Sequence, residues 1–444
     1  MIRTCIHACL ATLLALTATV TNAESETDDV SRYQRLFKEI ATAVEAPKDL
    51  APLYSAIGDR RAVLLGEASH GTREFYQWRA EISQHLIEHK GFAFVGLEGD
   101  WSSIYQLNRY IKGQTPEGQS ARDVMRADIT RWPQWMWANE EFADFVEWLR
   151  AHNDEREADD KVGLYGLDMQ DPEGSMAQVL AWFEQNDEAR HGQVADAYRQ
   201  ITRFPENFRG YAQHLMRGGD RLEDAVRLPV TLLREAMGDY PSKADKAQWA
   251  ALQNALAVKR AEAQFHGAAS RGPESWNARA RYMHEAYLRI AERHGDGSKG
   301  IVWAHNTHVG DARATDMRNR GEVNIGQLMR ESEGEDDVFI LGFSTHRGTV
   351  IAGAEWGNER QTMTVVPAHP QSVDAALHKA ELDQHLLLFG PDTREDQWLI
   401  PMHKRAIGVI YRPPNEAYVP TLITLRYDAL LYFDKTRALT PLNN

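Results

Sequence analysis

Cysteine is nearly absent. The 444 residues hold two, Cys5 and Cys9, and both lie within the first ten positions. Without that segment no disulfide, thiolate metal centre or cysteine nucleophile is left, and stability must come from a buried core, which a chain of this length can build. Positive charge is also short, with 50 Lys and Arg against 64 Asp and Glu and a net charge of −14. No basic stripe with interleaved aromatics occurs, so a nucleic-acid partner is excluded. Long apolar runs are missing except one, "CLATLLALTATV" from Cys9 to Val20. It is short for a bilayer span, which takes about 20 residues. It follows Arg3 and ends in "TNA" before the acidic "ESETDD", the pattern of a signal peptide cleaved after Ala23. The expectation is a leader over 1–23 and a mature chain over 24–444, periplasmic or secreted, with no stable membrane association.

Several motifs are missing too. Without G-x-S-x-G, an α/β serine hydrolase is disfavoured. "HEAYL" at His284 lacks the second histidine of H-E-x-x-H, and there is neither a P-loop nor a G-x-G-x-x-G after a strand, so nucleotide cofactors have no support.

What is present is a repeated handover from strand to helix. Helical spacing in "YQRLFKEIATAV" precedes a first strand, "RAVLLGEA". Thr72 is placed to cap a helix from Arg73 to about His89, stopped by Gly91. "FAFVGLEGD" is the second strand, followed by helix "WSSIYQLNRYI"; a tryptophan-rich stretch leads into a helix from Asn139, and "KVGLYGLDMQ" is the third strand, ending at Asp168. Residues 172–293 carry helical periodicity and little strand character, and read as an inserted helical subdomain. "KGIVWAHNTHVGD" returns to strand. "DDVFILGFSTHRGTVIAG" reads as two strands, and "HLLLF" and "RAIGVIYRP" as late core strands. The fold class is α/β, a mainly parallel sheet flanked by helices.

Four strands in this reading end in polar groups: Glu67 with His70, Glu98 with Asp100, Asp168, and His305 with His308. Ligands of open α/β sheets bind outside the carboxyl ends of the strands, so these groups would meet at one edge. Gly66 and Gly71 would let the backbone turn sharply there. A carboxylate leaving an apolar strand needs a partner, and Arg79 suits a carboxylate or a substrate carbonyl. His305 and His308 would share a site if their segment turns helical. Asp168 reads equally as a cap. The chemistry left open is a histidine or glutamate base acting on water, directly or through a metal.

"LLGEASHGTREFYQWR", "GLEGDW", "LYGLDMQ" and "VWAHNTHVGD" resemble the erythromycin esterase family, together with its succinoglycan-biosynthesis relatives, over roughly residues 35–430. The resemblance implies an α/β sheet with a helical insertion. It also implies a site in which the family's essential histidine falls on His70, its glutamates on Glu67 and Glu98, its arginine on Arg79 and its late histidines on His305 and His308. The implied reaction is hydrolysis of a macrolide lactone or related ester by His70-activated water, with no covalent intermediate and no cofactor. Arg79 or a doubly protonated late histidine would stabilise the oxyanion. The substrate is a small-molecule ester, and antibiotic resistance would follow from opening a macrolide. Two other readings stay open. In one, Glu67, His70, Glu98, His305 and His308 hold a divalent metal for a hydrolase or peptidase; in the other, the protein binds a ligand without turnover.

Overall fold

The computed structural model describes residues 29–238, 245–270, 272–414 and 418–442. The expected leader, residues 1–23, lies outside them, and no helix among the described residues is long and apolar enough to cross a membrane. Among the described residues there are eleven strands: β1 (Ala41–Ala43), β2 (Ala62–Leu65), β3 (Phe92–Asp100), β4 (Gly163–Asp168), β5 (Lys299–Trp303), β6 (Val338–Ala352), β7 (Gln361–Val365), β8 (Gln384–Leu388), β9 (Met402–Arg405), β10 (Tyr418–Thr421) and β11 (Ala429–Thr436). The main sheet runs β1-β8-β11-β6-β2-β5-β3-β4, with β7 on β6. Its centre, β11 through β4, is parallel; β8, β1 and β7 join antiparallel. β2 is buried along its whole length, as a strand covered on both faces must be.

One apolar layer packs Leu64, Phe94, Tyr165 and Val302 against the helices of the 172–294 stretch; the other packs Val63, Leu97, Ile301 and Trp303 against helices Arg73–Lys90 and Glu140–Asp154. Among the described residues, six helices, from Pro172–Asn186 to Glu274–His294, separate β4 from β5. They stack on one sheet face, so the insertion shares the sheet's core.

Four local expectations are corrected. Residues 29–40 are helical, but Ala41–Ala43 leave the helix as edge strand β1 against β8. Thr72 occupies the N-cap, yet its hydroxyl bonds Ser69 and not the helix backbone. The stretch from Val338 to Ala352 is one strand and not two. Its polar middle reads as a turn, but the chain continues through Gly348 at φ +142°, where an added Cβ would lie 2.0 Å from the Thr436 carbonyl. "RAIGVIYRP" is not a core strand. Arg405 ends β9 in a small separate sheet with β10, and the following residues touch Ser69 and Gly353 only through isolated bridges. The central slot belongs to "ALLYFDKT", β11.

Candidate active site

β2, β5, β3 and β4 are neighbours in the sheet, so their four polar ends converge on one edge. Glu67 and His70 sit in the turn after β2. Nδ1 of His70 lies 2.7 Å from Glu67 Oε1, and Arg79 donates to Glu67 Oε2 at 2.8 Å. Arg79 is fully buried, its guanidinium 4.3 Å from the centre of the Tyr76 ring and 4.9 Å from that of Trp303. It does not reach the cavity, so it positions Glu67; the expected contact with a substrate carbonyl is corrected.

The two glycines have a different purpose from the one expected. Neither takes a left-handed φ. Each permits close approach: a Cβ on Gly66 would lie 2.1 Å from Asn306 Oδ1, and one on Gly71 would lie 2.0 Å from the Ile351 carbonyl. The carbonyl of Gly71 accepts from the Ile351 and Leu439 amides, both at 3.0 Å. Gly71→Ala must therefore push rigid backbone aside, and is expected to destabilise the protein by about 1–3 kcal/mol, read as a lower denaturant midpoint at unchanged slope.

Glu98 leaves β3 as the second anchor. Its Oε2 accepts the His305 backbone N–H at 2.7 Å, and its Oε1 lies 2.8 Å from Arg279 Nη2 and 3.2 Å from His308 Nε2. His305 caps the single helical turn Asn306–Val309, and its Nδ1 accepts from the Thr307 amide at 3.2 Å. In the neutral ring this puts the proton on Nε2, which is buried and has no hydrogen-bond partner among the described residues. The short turn splits the two late histidines. The His305 ring lies 4.9 Å from that of His70, while His308 stacks on Trp276 at 4.7 Å and takes a hydrogen bond from Arg279 at 2.8 Å.

All six expected residues thus form one cluster, but only His70 and Glu98 of them face the cavity. The residue that sequence reasoning missed is Arg279, on helix Glu274–His294. It binds Asp168 through Nε, at 3.1 Å to each carboxylate oxygen, and joins that group to Glu98 and His308. Asp168 is therefore a counter-charge and not a simple cap. The one available signal was the aromatic and basic "RGPESWNARARY" in the insertion.

Burial sets the electrostatics, and the partners then decide its sign. For His70, burial opposes the charged ring, but the Glu67 hydrogen bond and the charges of Glu98 and Glu67 outweigh it and raise its pKa. Burial would raise Glu98, but the positive charge of Arg279 beside it holds it well below the usual carboxylate range. His305 is pushed well below the ordinary histidine value by burial and then by His70. It stays a neutral N–H donor, so the expected double protonation does not fall on His305. Asp100, also on the cavity wall, is raised to about 6 by burial against the opposing pull of Arg131, and its Oδ1 has no partner among the described residues.

The cavity outside these strand ends holds about 500 Å³, ample for a drug-sized ligand. Ile129, Pro133, Met136, Trp137, Trp276 and Trp356 supply its apolar wall. Trp356 is 67 % exposed and lies 4.6 Å, ring to ring, from Trp132. Among the described residues no three His, Cys, Asp or Glu side chains are grouped as a metal requires, and Glu67 and Glu98 each already face an arginine.

A parallel sheet whose carboxyl edge gathers a carboxylate-held histidine and paired charges beneath a deep cavity is the build of an α/β enzyme. The sequence profile of the erythromycin esterase family matches residues 87–436, and the chain belongs to that family, which makes it a hydrolase. The matched span takes in Glu98, His305 and His308 and begins after Glu67, His70 and Arg79. The chain is 24 % identical over 326 residues to erythromycin esterase type II of Escherichia coli, covering 68 % of this chain and 73 % of that one. Its fold is similar to that of a succinoglycan biosynthesis protein, with TM-score 0.73, 20 % identity, and 92 % of this chain and 98 % of that one covered. It is also similar in fold to a mutant of the erythromycin esterase EreC in its open conformation, with TM-score 0.63, 16 % identity, and 88 % and 95 % covered.

Proposed function

We propose that the protein hydrolyses a carboxylic ester, with the lactone of a macrolide as its substrate, by water that His70 activates and without a metal. One observation carries this reading: Glu67, itself held by Arg79, fixes Nδ1 of His70 and leaves Nε2 of this cavity-lining ring as the free base. Nε2 takes a proton from water as the water oxygen bonds to the lactone carbonyl carbon. The tetrahedral intermediate then collapses, the ring C–O bond breaks, and the imidazolium returns the proton to the leaving alkoxide. Products are an alcohol and a carboxylic acid, which gives its proton to solvent as it ionises, and no acyl-enzyme forms. Arg279, on the cavity wall, faces the developing oxyanion. The tryptophan-rich wall suits a large apolar ligand.

The leader pattern supports action outside the cytoplasm, where opening a macrolide would protect the cell. Mass spectrometry of erythromycin and other macrolides incubated with the protein, with and without chelator, tests the reading. A gain of one water that is insensitive to chelator is expected. Activity that disappears in chelator and returns with a divalent ion contradicts the metal-free route, and drugs left unchanged contradict the substrate.

A further inference from the structure

The opposite edge of the sheet carries a second cavity, of about 350 Å³. It is framed by the C-terminal end of helix Trp101–Ile111, the turn before β4 and the end of helix Glu274–His294. The protein is strongly acidic overall, yet four cations line this space, Lys112, Lys161, Lys246 and Arg293, with one carboxylate, Asp159.

The lysines have found only neutral partners. Lys112 Nζ donates to the Tyr165 hydroxyl at 3.3 Å, and Lys161 Nζ to the Lys112 carbonyl at 3.5 Å. No carboxylate among the described residues lies within ion-pair distance of Lys112, Lys161 or Lys246. Burial pushes Lys112 down to about 8, and the charge acting on it besides burial is that of Arg293. His294 falls to about 3 through burial and then through Lys112 and Arg293. Like charges gathered in a half-buried cleft repel, and a bound anion removes that cost. The remaining wall is aromatic: Tyr105 and Trp249 line the cavity, and the Arg293 guanidinium lies 5.3 Å from the Trp249 ring.

We propose that this cavity is a second ligand site, independent of ester hydrolysis, which binds a small organic anion of the aryl phosphomonoester class. Its phosphate sits among Lys112, Lys161 and Arg293, and its ring lies beside Tyr105 and Trp249. Ammonium groups with no carboxylate of their own suit a dianion, and the volume suits one ring with its phosphate.

Calorimetric titration of the purified protein with phenyl phosphate tests this. Saturable one-to-one binding is expected, weaker for inorganic phosphate, absent for phenol, and falling as salt rises. Lys112→Met and Lys161→Gln should each weaken it by about tenfold or more, while Arg131→Gln, in the other cavity, leaves it unchanged. Lys161 lies at the edge of the cleft, so its variant keeps the test open if Lys112→Met fails to fold. No saturable binding overturns the proposal, as does affinity unchanged in Lys161→Gln. Binding lost in Arg131→Gln overturns it as well, by placing the anion in the active-site cavity.

Discussion

His70→Ala is expected to lower kcat/KM by about a hundredfold to ten-thousandfold, the range over which a positioned base contributes to proton transfer. The variant should fold. His70 closes one side of the cavity, and its loss leaves the Glu67–Arg79 pair intact beneath it. Circular dichroism and denaturant unfolding check the fold, and steady-state hydrolysis checks the rate. A folded variant within tenfold of wild type would remove His70 from the mechanism. Glu67→Gln is the milder companion. It keeps a hydrogen-bond acceptor for Nδ1 but removes the charge that favours the protonated ring.

Arg279→Met is expected to damage stability and activity together. Arg279 is the cation between Glu98 and Asp168, and it also donates to His308. Removing it strands two buried carboxylates, and breaking a buried pair by removing one partner costs about 3–5 kcal/mol. The loss should shrink in acid, where the stranded carboxylates take up protons. Activity should be undetectable, because the cavity loses the guanidinium proposed to face the oxyanion. Arg279→Lys should recover stability better than activity, since an ammonium cannot reproduce the fork that spans Asp168, Glu98 and His308. Denaturant midpoints across pH, set beside kcat/KM for both variants, read the two effects separately. A stable and active Arg279→Met protein would contradict the geometry.

Arg79 apart, which lies inside the helix after β2, the parts of the site that could be read from sequence share one property: each lies within a few residues of an apolar strand. Glu67, Glu98, Asp168 and His305 announce themselves because a buried run ends abruptly in a charged or imidazole group, and the parallel order of the sheet then brings those ends together. Arg279 has no such neighbour. It sits in the first turns of a long helix, 111 positions after Asp168, and only the packing of the insertion on the sheet brings the two together. The late strands failed for a related reason. "RAIGVIYRP" and "ALLYFDKT" carry similar β-forming content, and local pattern does not say which one fills the central slot. The loser has Gly408 within it and Pro413 and Pro414 at its end, which limit regular pairing. Gly66 and Gly71 were legible as special, but their reason was not. Close approach to Asn306 and Ile351 is a tertiary fact.

The pH dependence of kcat/KM on a macrolide, measured in chelator for wild type and Glu67→Gln, tests the central claim most directly. The base must be unprotonated to act, and His70 is raised above the ordinary histidine value. The wild-type rate should therefore climb with pH through a single ionisation above about 6.5. In Glu67→Gln that limb should move to lower pH, because burial now acts on the ring with less opposition, and the plateau should fall. A profile flat across this range, or a limb that stays in place when Glu67 loses its charge, would contradict a Glu67-held His70 as the base.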